Sequence, residues 1–186
     1  MEELLEEPGV SLGSSLYSQE RGARELTHEE YQALARRMAL DRLARRSHSC
    51  GELRAAFAKR AIPTEIGEEL IMALTRSNLL DDGEFARSWR DSRMRSRGLA
   101  PRVIARELRE KGIDADLILE VISELSSESE EEALTELLAK KMRALRPGDR
   151  KKQERSLLGF LMRKGHRGDR AGLAVRNALQ EFYSTQ

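Results

Sequence analysis

Residues 78–114 read NLLDDGEFARSWRDSRMRSRGLAPRVIARELREKGID, and the punctuation inside this stretch decides the fold. Asp81 or Asp82 supplies a carboxylate for the free amides of a first helical turn, Glu84 and Phe85 follow in that turn, and Gly98 offers a left-handed stop. Pro101 suits the first position of a second helix, where its missing N–H would have had no partner, and Gly112 ends that helix. Asp114 caps a third helix reaching about Leu125. Apolar residues in these segments recur with helical rather than alternating spacing.

The same signals extend in both directions. Thr27-His28-Glu29-Glu30 is a capping box that starts a helix running to about Arg46. Ser49, with Glu52 three residues on, starts a second that ends near Arg60, and Pro63 starts a third that stops near Ser77-Asn78. Downstream, Ser126 to Ser129 precede a glutamate-rich first turn, which favours the positive end of a helix dipole, and that helix ends before Pro147-Gly148. Two more helices run from Asp149 to Gly165 and from about Gly168 to Tyr183. The predicted class is all-α with nine helices, in keeping with 4 prolines and 4% aromatic residues.

The nine fall into three trios that align on the second helix of each. Phe57-Ala58-Lys59-Arg60-Ala61-Ile62, Leu108-Arg109-Glu110-Lys111-Gly112-Ile113 and Leu161-Met162-Arg163-Lys164-Gly165-His166 lie 51 and 53 residues apart. Around that anchor, apolar positions agree at Leu53/Ile104/Leu157, Leu34/Phe85/Leu138, Met38/Trp89/Met142 and Leu70-Ile71/Val121-Ile122/Ala174-Val175. Units of about 50 residues bury too little surface alone, so neighbours must cover one another and the expected body is elongated or curved and solenoid-like. The boundaries read as repeats over 27–78, 79–127 and 128–183, preceded by a disordered acidic arm over 1–26 and followed by a short tail, 184–186. His166 replaces the isoleucine of the other two repeats, and Arg170 stands where Ile66 and Leu117 stand, so the third unit is expected to pack less tightly.

Charge is balanced overall and uneven along the chain. The 33 basic and 32 acidic residues give +1, but 1–27 carries −4, 28–80 carries +2, 81–127 carries −1 and 128–186 carries +4. A protein held on nucleic acid by charge alone would be more lopsided. The longest apolar run, Leu70–Leu74, is far short of a membrane span of roughly 20 residues. The opening Met1-Glu2-Glu3-Leu4-Leu5-Glu6-Glu7 is acidic where a targeting peptide is basic, and a single cysteine, Cys50, forms no internal disulfide, so a reducing cytoplasm is expected.

The stretch over 78–114 also resembles the RecX family, bacterial regulators of the RecA recombinase. The family's middle repeat has two acids, Phe-Ala, an aromatic one turn on, a glycine, and then Ile, Leu and Lys-Gly-Ile. Here these are Asp81, Asp82, Phe85, Ala86, Trp89, Gly98, Ile104, Leu108, Lys111, Gly112 and Ile113. The resemblance is strong over roughly 79–125 and is carried into the flanking repeats by the alignment above. It implies a non-enzymatic protein of three tandem three-helix repeats that lies in the groove of the RecA filament on single-stranded DNA. It further implies restraint of filament growth, ATP hydrolysis, strand exchange and the coprotease activity that triggers the SOS response, with weak DNA binding.

Two clusters are the candidate partner surface. Arg87, Arg90, Arg93 and Arg97 advance by three, three and four residues, which confines them to roughly one third of a helix circumference. Such a ridge suits carboxylates of an acidic protein groove or phosphates; it is equally an ordinary solvated face with Asp91 and Glu84 as local partners. Lys140, Lys141, Arg143, Arg146, Arg150, Lys151, Lys152 and Arg155 surround the Pro147-Gly148 loop with no aromatic residue among them, so phosphate contact fits and base stacking does not. Arg36, Arg37, Arg42, Arg45 and Arg46 form a third group open to both readings.

Catalysis has no candidate constellation. Asp81 and Asp82 read as helix caps, Phe85 and Trp89 as core, and Cys50 as an inert packed thiol. His28, His48 and His166 have no metal-ligand spacing and no paired nucleophile, and phosphate-binding glycine motifs are absent. No cofactor, metal or small-molecule substrate is expected. The leading reading is a filament regulator; the alternative is a helical DNA-binding module acting through arginine-phosphate contacts without a recombinase.

Overall fold

A computed structural model describes residues 26–185 as α1 (His28–Leu43), α2 (Cys50–Ala58), α3 (Thr64–Arg76), α4 (Asp82–Arg97), α5 (Pro101–Glu110), α6 (Ala115–Ser123), α7 (Ser127–Met142), α8 (Arg150–Lys164) and α9 (Gly168–Ser184). Apart from Leu26, the expected acidic arm lies outside the described residues, as does Gln186. The fold is all-α and built from repeated three-helix units.

Local chemistry explains where the helices begin. Thr27 and Glu30 form the reciprocal capping box, with Glu30 N–H to Thr27 Oγ1 at 3.3 Å and Thr27 N–H to Glu30 Oε2 at 2.8 Å. Asp81, Asp114, Ser126 and Asp149 accept first-turn amides of α4, α6, α7 and α8. Pro63 sits at the cap of α3 rather than inside it, and α1 stops at Leu43, three residues before Arg46. Ser49 caps α2, but Glu52 does not complete a box: its carboxylate turns to Arg46 and Lys111.

Each trio closes on its own core. Ala35, Leu53, Phe57, Ile66 and Ile71 fill the first, Phe85, Ile104, Leu108, Ile118 and Val121 the second, and Leu138, Leu157, Leu161, Val175 and Leu179 the third. The repeat-equivalent Leu53, Ile104 and Leu157 are all at most 2% exposed. In the third trio an open apolar groove of about 830 Å³ runs along the outer side of the packed α7 and α9, lined by Leu134, Leu138, Met142, Leu173 and Phe182 among others. Arg170 leaves the core for the surface, 3.4 Å from Glu130, and half-buried His166 places Nε2 3.1 Å from Gly98 O. Burial pushes the His166 pKa down, and because a carbonyl only accepts, Nε2–H is the donor to Gly98 O.

The trios are joined by one contact used twice. Ser49 Oγ–H donates to Lys111 O at 2.6 Å, and at the equivalent positions of the next pair Ala100 N–H donates to Lys164 O at 2.9 Å. In both cases the end of a trio's second helix sits against the start of the previous trio's second helix. The approach is close enough to require glycine. A Cβ on Gly112, whose φ is +74°, would lie 2.8 Å from Gly51 Cα, and one on Gly165, at φ +98°, would lie 2.4 Å from Val103 Cγ2. Asp82 adds a tie by accepting the Cys50 amide at 2.8 Å, and Arg102 Nε donates to Gly165 O.

Ala61 is the first-trio equivalent of Gly112 and Gly165 and shares their left-handed backbone, at φ +51°. It is exposed, so only the backbone strain of a Cβ applies there and not a collision with a neighbour. Ala61→Gly should therefore raise stability by about 1 kcal/mol, read as a higher melting temperature with an unchanged circular dichroism spectrum.

Acid should loosen the first junction. Burial disfavours the Glu52 charge, but hydrogen bonds from Arg46 and Lys111 outweigh it and hold the carboxyl at about 2 against an ordinary 4.5. A depressed carboxyl stabilises the fold fully above pH 4.5 and loses that contribution as pH falls from 4.5 towards 2. Lys111 Nζ is 4.0 Å from the ring centroid of Trp89, the chain's single tryptophan. Tryptophan fluorescence should change across that pH window, and Glu52→Gln should flatten the change.

Candidate partner interface

The arginine ridge of α4 is largely occupied within its own trio. Arg87 donates through Nε to Glu124 Oε1 at 2.8 Å and through Nη2 to Glu120 Oε1 at 3.0 Å. Arg90, with a side chain only 11% exposed, reaches Glu124 Oε2 and Val121 O, both at 2.7 Å, and Asp91 Oδ1 at 2.8 Å. Burial works against the Arg90 charge, yet Asp91 and Glu124 raise its pKa on balance, while Arg87 and Arg90 lower that of Glu124. These residues clamp α4 onto α6.

Arg93 faces α5 instead. Its Nε donates to Glu107 Oε2 at 2.8 Å, the same oxygen that accepts Trp89 Nε1–H at 2.9 Å, and its guanidinium lies 3.7 Å from the Trp89 ring centroid. Trp89 is thus half-buried, not fully buried: it stacks on core residue Phe85 with centroids 5.8 Å apart and contacts Arg93 and Lys111. Of the two local acids anticipated for the ridge, Asp91 is used; Glu84 gives its backbone N–H to the Asp81 cap.

Arg97, at the end of the ridge, is exposed and has no ion-pair partner among the described residues. It meets the second sequence cluster there. Arg97 and Lys140 both line a cavity of about 150 Å³ between the last turns of α4, α7 and α8, together with Met94, Arg95, Leu137 and Phe160. Lys140 pairs with Glu136 at 2.8 Å, whereas Lys141 and Lys164 have only the Phe160 ring, at 5.6 and 5.9 Å. The second cluster therefore does have an aromatic neighbour. Phe160 comes from a later turn of α8 that sequence distance separates from Lys141.

The rest of that cluster lies on the α7–α8 loop and the start of α8. Arg143, Arg146, Arg150, Lys151, Lys152 and Arg155 are exposed; among the described residues only Lys152 comes within ion-pair distance of a carboxylate, Asp149 at 3.9 Å, while Arg143 acts on Glu136 from farther away. Tyr183 fixes the loop: its hydroxyl accepts Gly148 N–H at 3.1 Å and sits 2.8 Å from Gly148 O and 2.7 Å from Gln153 Oε1. Gln153 in turn donates to Arg146 O at 2.7 Å. The backbone is held by neutral groups while the cations face solvent. In the first trio Arg46 is taken by Glu52, and Arg36, Arg37, Arg42 and Arg45 remain exposed.

No group of three or more His, Cys, Asp or Glu able to hold a metal occurs among the described residues. Burial raises the Cys50 thiol, and adjacent Asp82 adds to the effect, so its place in a first turn does not make it a thiolate. No described helix is long and apolar enough to cross a membrane.

Comparison with known proteins identifies this arrangement. A family model described as RecX, second three-helix domain, matches residues 81–122. A regulatory protein RecX of Streptomyces coelicolor is 46% identical over 130 residues, covering 70% of this chain and 69% of the relative. One of Amycolatopsis mediterranei is 35% identical over 158 residues, covering 85% and 90%. The chain belongs to the RecX family. A crystal structure of RecX from Lactobacillus salivarius shares the fold with a TM-score of 0.67 at 20% identity, over 82% of this chain and 97% of that one.

Within the RecX frame the motif residues have separate structural tasks. Asp81 caps α4, Asp82 ties α4 to α2, Phe85, Ala86, Ile104, Leu108 and Ile113 fill the second core, and Gly98 closes α4 at φ +58°. Lys111 and Gly112 build the junction to the first trio. Three cleft residues, Arg95, Phe160 and Lys164, were not singled out in the sequence. The repeat register held a signal for Phe160, because its equivalents are Ala56 and Glu107 and an aromatic there departs from both.

Proposed function

We propose that this RecX-family chain is a non-enzymatic regulator that docks in the groove of a RecA filament on single-stranded DNA. Docking there limits filament growth, ATP hydrolysis, strand exchange and SOS coprotease activity. The observation that best supports this reading is the α7–α8 surface, where Arg143, Arg146, Arg150, Lys151 and Arg155 are exposed with no carboxylate within ion-pair distance on a loop pinned by Tyr183. Unpaired guanidinium groups on a fixed backbone suit the carboxylates of an acidic protein groove, since they have no internal pair to break first. We further propose that 27–78, 79–127 and 128–183 are the units that follow the groove, acting in the cytoplasm.

Arg87, Arg90 and Arg93 are left out of this surface, because their charges are engaged by Glu107, Glu120 and Glu124 inside the second trio. Cosedimentation with RecA assembled on single-stranded DNA tests the reading. The wild-type chain should pellet with the filament, and a variant with Arg143, Arg146, Arg150, Lys151 and Arg155 changed to glutamate should stay in the supernatant while melting normally. Equal pelleting of the two proteins would remove the loop from the contact.

A further inference from the structure

We infer that the outer face of α7 and α9 is a self-association surface, on which α7 of a second copy of this chain lies antiparallel to α7 of the first in a twofold pair. The repeat register supplies the first observation. In the second trio Arg87 and Arg90 reach Glu120 and Glu124 and bridge α4 to α6 over the corresponding face. The third-trio equivalents of Glu120, Glu124 and Arg90 are Leu173, Asn177 and Arg143, so that clamp is missing. Leu173 is 54% exposed, the apolar groove of about 830 Å³ stays open, and Arg143 on its rim has no carboxylate within ion-pair distance among the described residues.

The order of charge along α7 selects the occupant. Glu131, Thr135, Ala139 and Arg143 are spaced four apart, are all exposed and line the groove. They form one ridge that is acidic at its start, small in the middle and basic at its end. Glu131, like Arg143, has no ion-pair partner among the described residues. A second α7 laid antiparallel, with the twofold axis level with Leu137, sets Glu131 of each copy against Arg143 of the other and Thr135 against Ala139. A parallel placement would set like charge on like. Ridges of this four-residue spacing interdigitate in the commonest helix crossing, and the small central side chains let the two backbones approach. A twofold contact is self-complementary, so each opposite-charge pair occurs twice.

An unrelated apolar helix would fill the groove and leave both charged ends unmatched, whereas a second copy matches both at the same spacing. Each α7 then covers Leu173 and Phe182 of the other copy's groove, which removes apolar surface from water. The pairing also occupies Arg143. Resting on the docking reading above, self-association withholds that cation from a filament, so the two contacts compete for it.

Sedimentation velocity with the full chain across the micromolar range tests this without recombinase. The wild-type chain should pass from one copy to two as concentration rises, and added salt should reverse the change by screening the end pairs. Glu131→Arg and Arg143→Glu, each checked for normal melting, should weaken association at least about tenfold, because like charges then meet at both ends. Mixed in equal amounts, the two variants should associate as tightly as the wild type, since Arg now faces Glu at either end of the mixed pair. A wild-type chain that stays a monomer at every concentration would overturn the inference and leave the groove to another partner. Association that neither single variant weakens, or a mixture no tighter than the variants alone, would overturn the antiparallel α7 pairing. None of these outcomes bears on filament docking, which the cosedimentation of the loop variant tests separately.

Discussion

Gly112→Ala is expected to destabilise the protein by about 3 kcal/mol and to part the first trio from the second. Left-handed backbone at φ +74° strains an alanine by about 1–2 kcal/mol. The remainder arises because the new Cβ would sit 2.8 Å from Gly51 Cα, a backbone atom in a capped helix that cannot swing aside as a side chain could. Backing the trios apart weakens the Ser49–Lys111 O bond and the Glu52–Lys111 pair, at about 1 kcal/mol each. Urea unfolding followed by Trp89 fluorescence and by circular dichroism should then give two transitions where the wild type gives one. Coincident transitions with an unchanged midpoint would mean that the contact is slack. The comparison with Ala61→Gly is the sharper control, because glycine is favoured over alanine at both equivalent positions but by a smaller margin at 61, where no neighbour adds a collision to the backbone strain.

Arg90→Ala should cost about 2–3 kcal/mol, since it leaves the Val121 carbonyl without its side-chain donor and removes one of the two guanidinium groups on Glu124. At about 2–4 °C per kcal/mol the melting temperature should fall by several degrees. Arg87→Ala should have a distinctly smaller effect, because Arg87 and its partners are solvent-screened at the rim of the same clamp. Equal losses in the two variants, or none in either, would contradict the assignment of Arg90 to the α4–α6 interface. This also bears on how binding is tested. Reversing all four ridge charges would place carboxylates beside Glu107, Glu120 and Glu124, and lost binding would report unfolding.

The contrast between ridge and loop shows what the sequence made legible. Helix starts were readable because a cap and its amide are three residues apart, as in Thr27–Glu30 and Asp81–Glu84. The cores were readable because Leu53, Ile104 and Leu157 recur in register. Partner choice was not, because a stripe of arginines states which face of α4 they share and nothing about which acids face it. Glu120 and Glu124 are more than 30 residues from Arg87 and Arg90. Their third-trio equivalents, Leu173 and Asn177, are uncharged, and it is there that the groove along α7 and α9 stays open. The junction was hidden for a similar reason. Gly112 reads as a helix stop from sequence, and only the packed chain shows that it must also admit Gly51.

The central claim, that an unpaired cationic loop on a repeated helical body restrains a recombinase filament, is met most directly by one titration. RecA-dependent ATP hydrolysis on single-stranded DNA is followed as the chain is added, alongside the Arg143, Arg146, Arg150, Lys151 and Arg155 to glutamate variant, checked for normal melting. The account predicts inhibition by the wild-type chain at well under one copy per recombinase and little or none by the folded variant. Undiminished hydrolysis at an excess of the wild-type chain, or equal inhibition by both proteins, would contradict it.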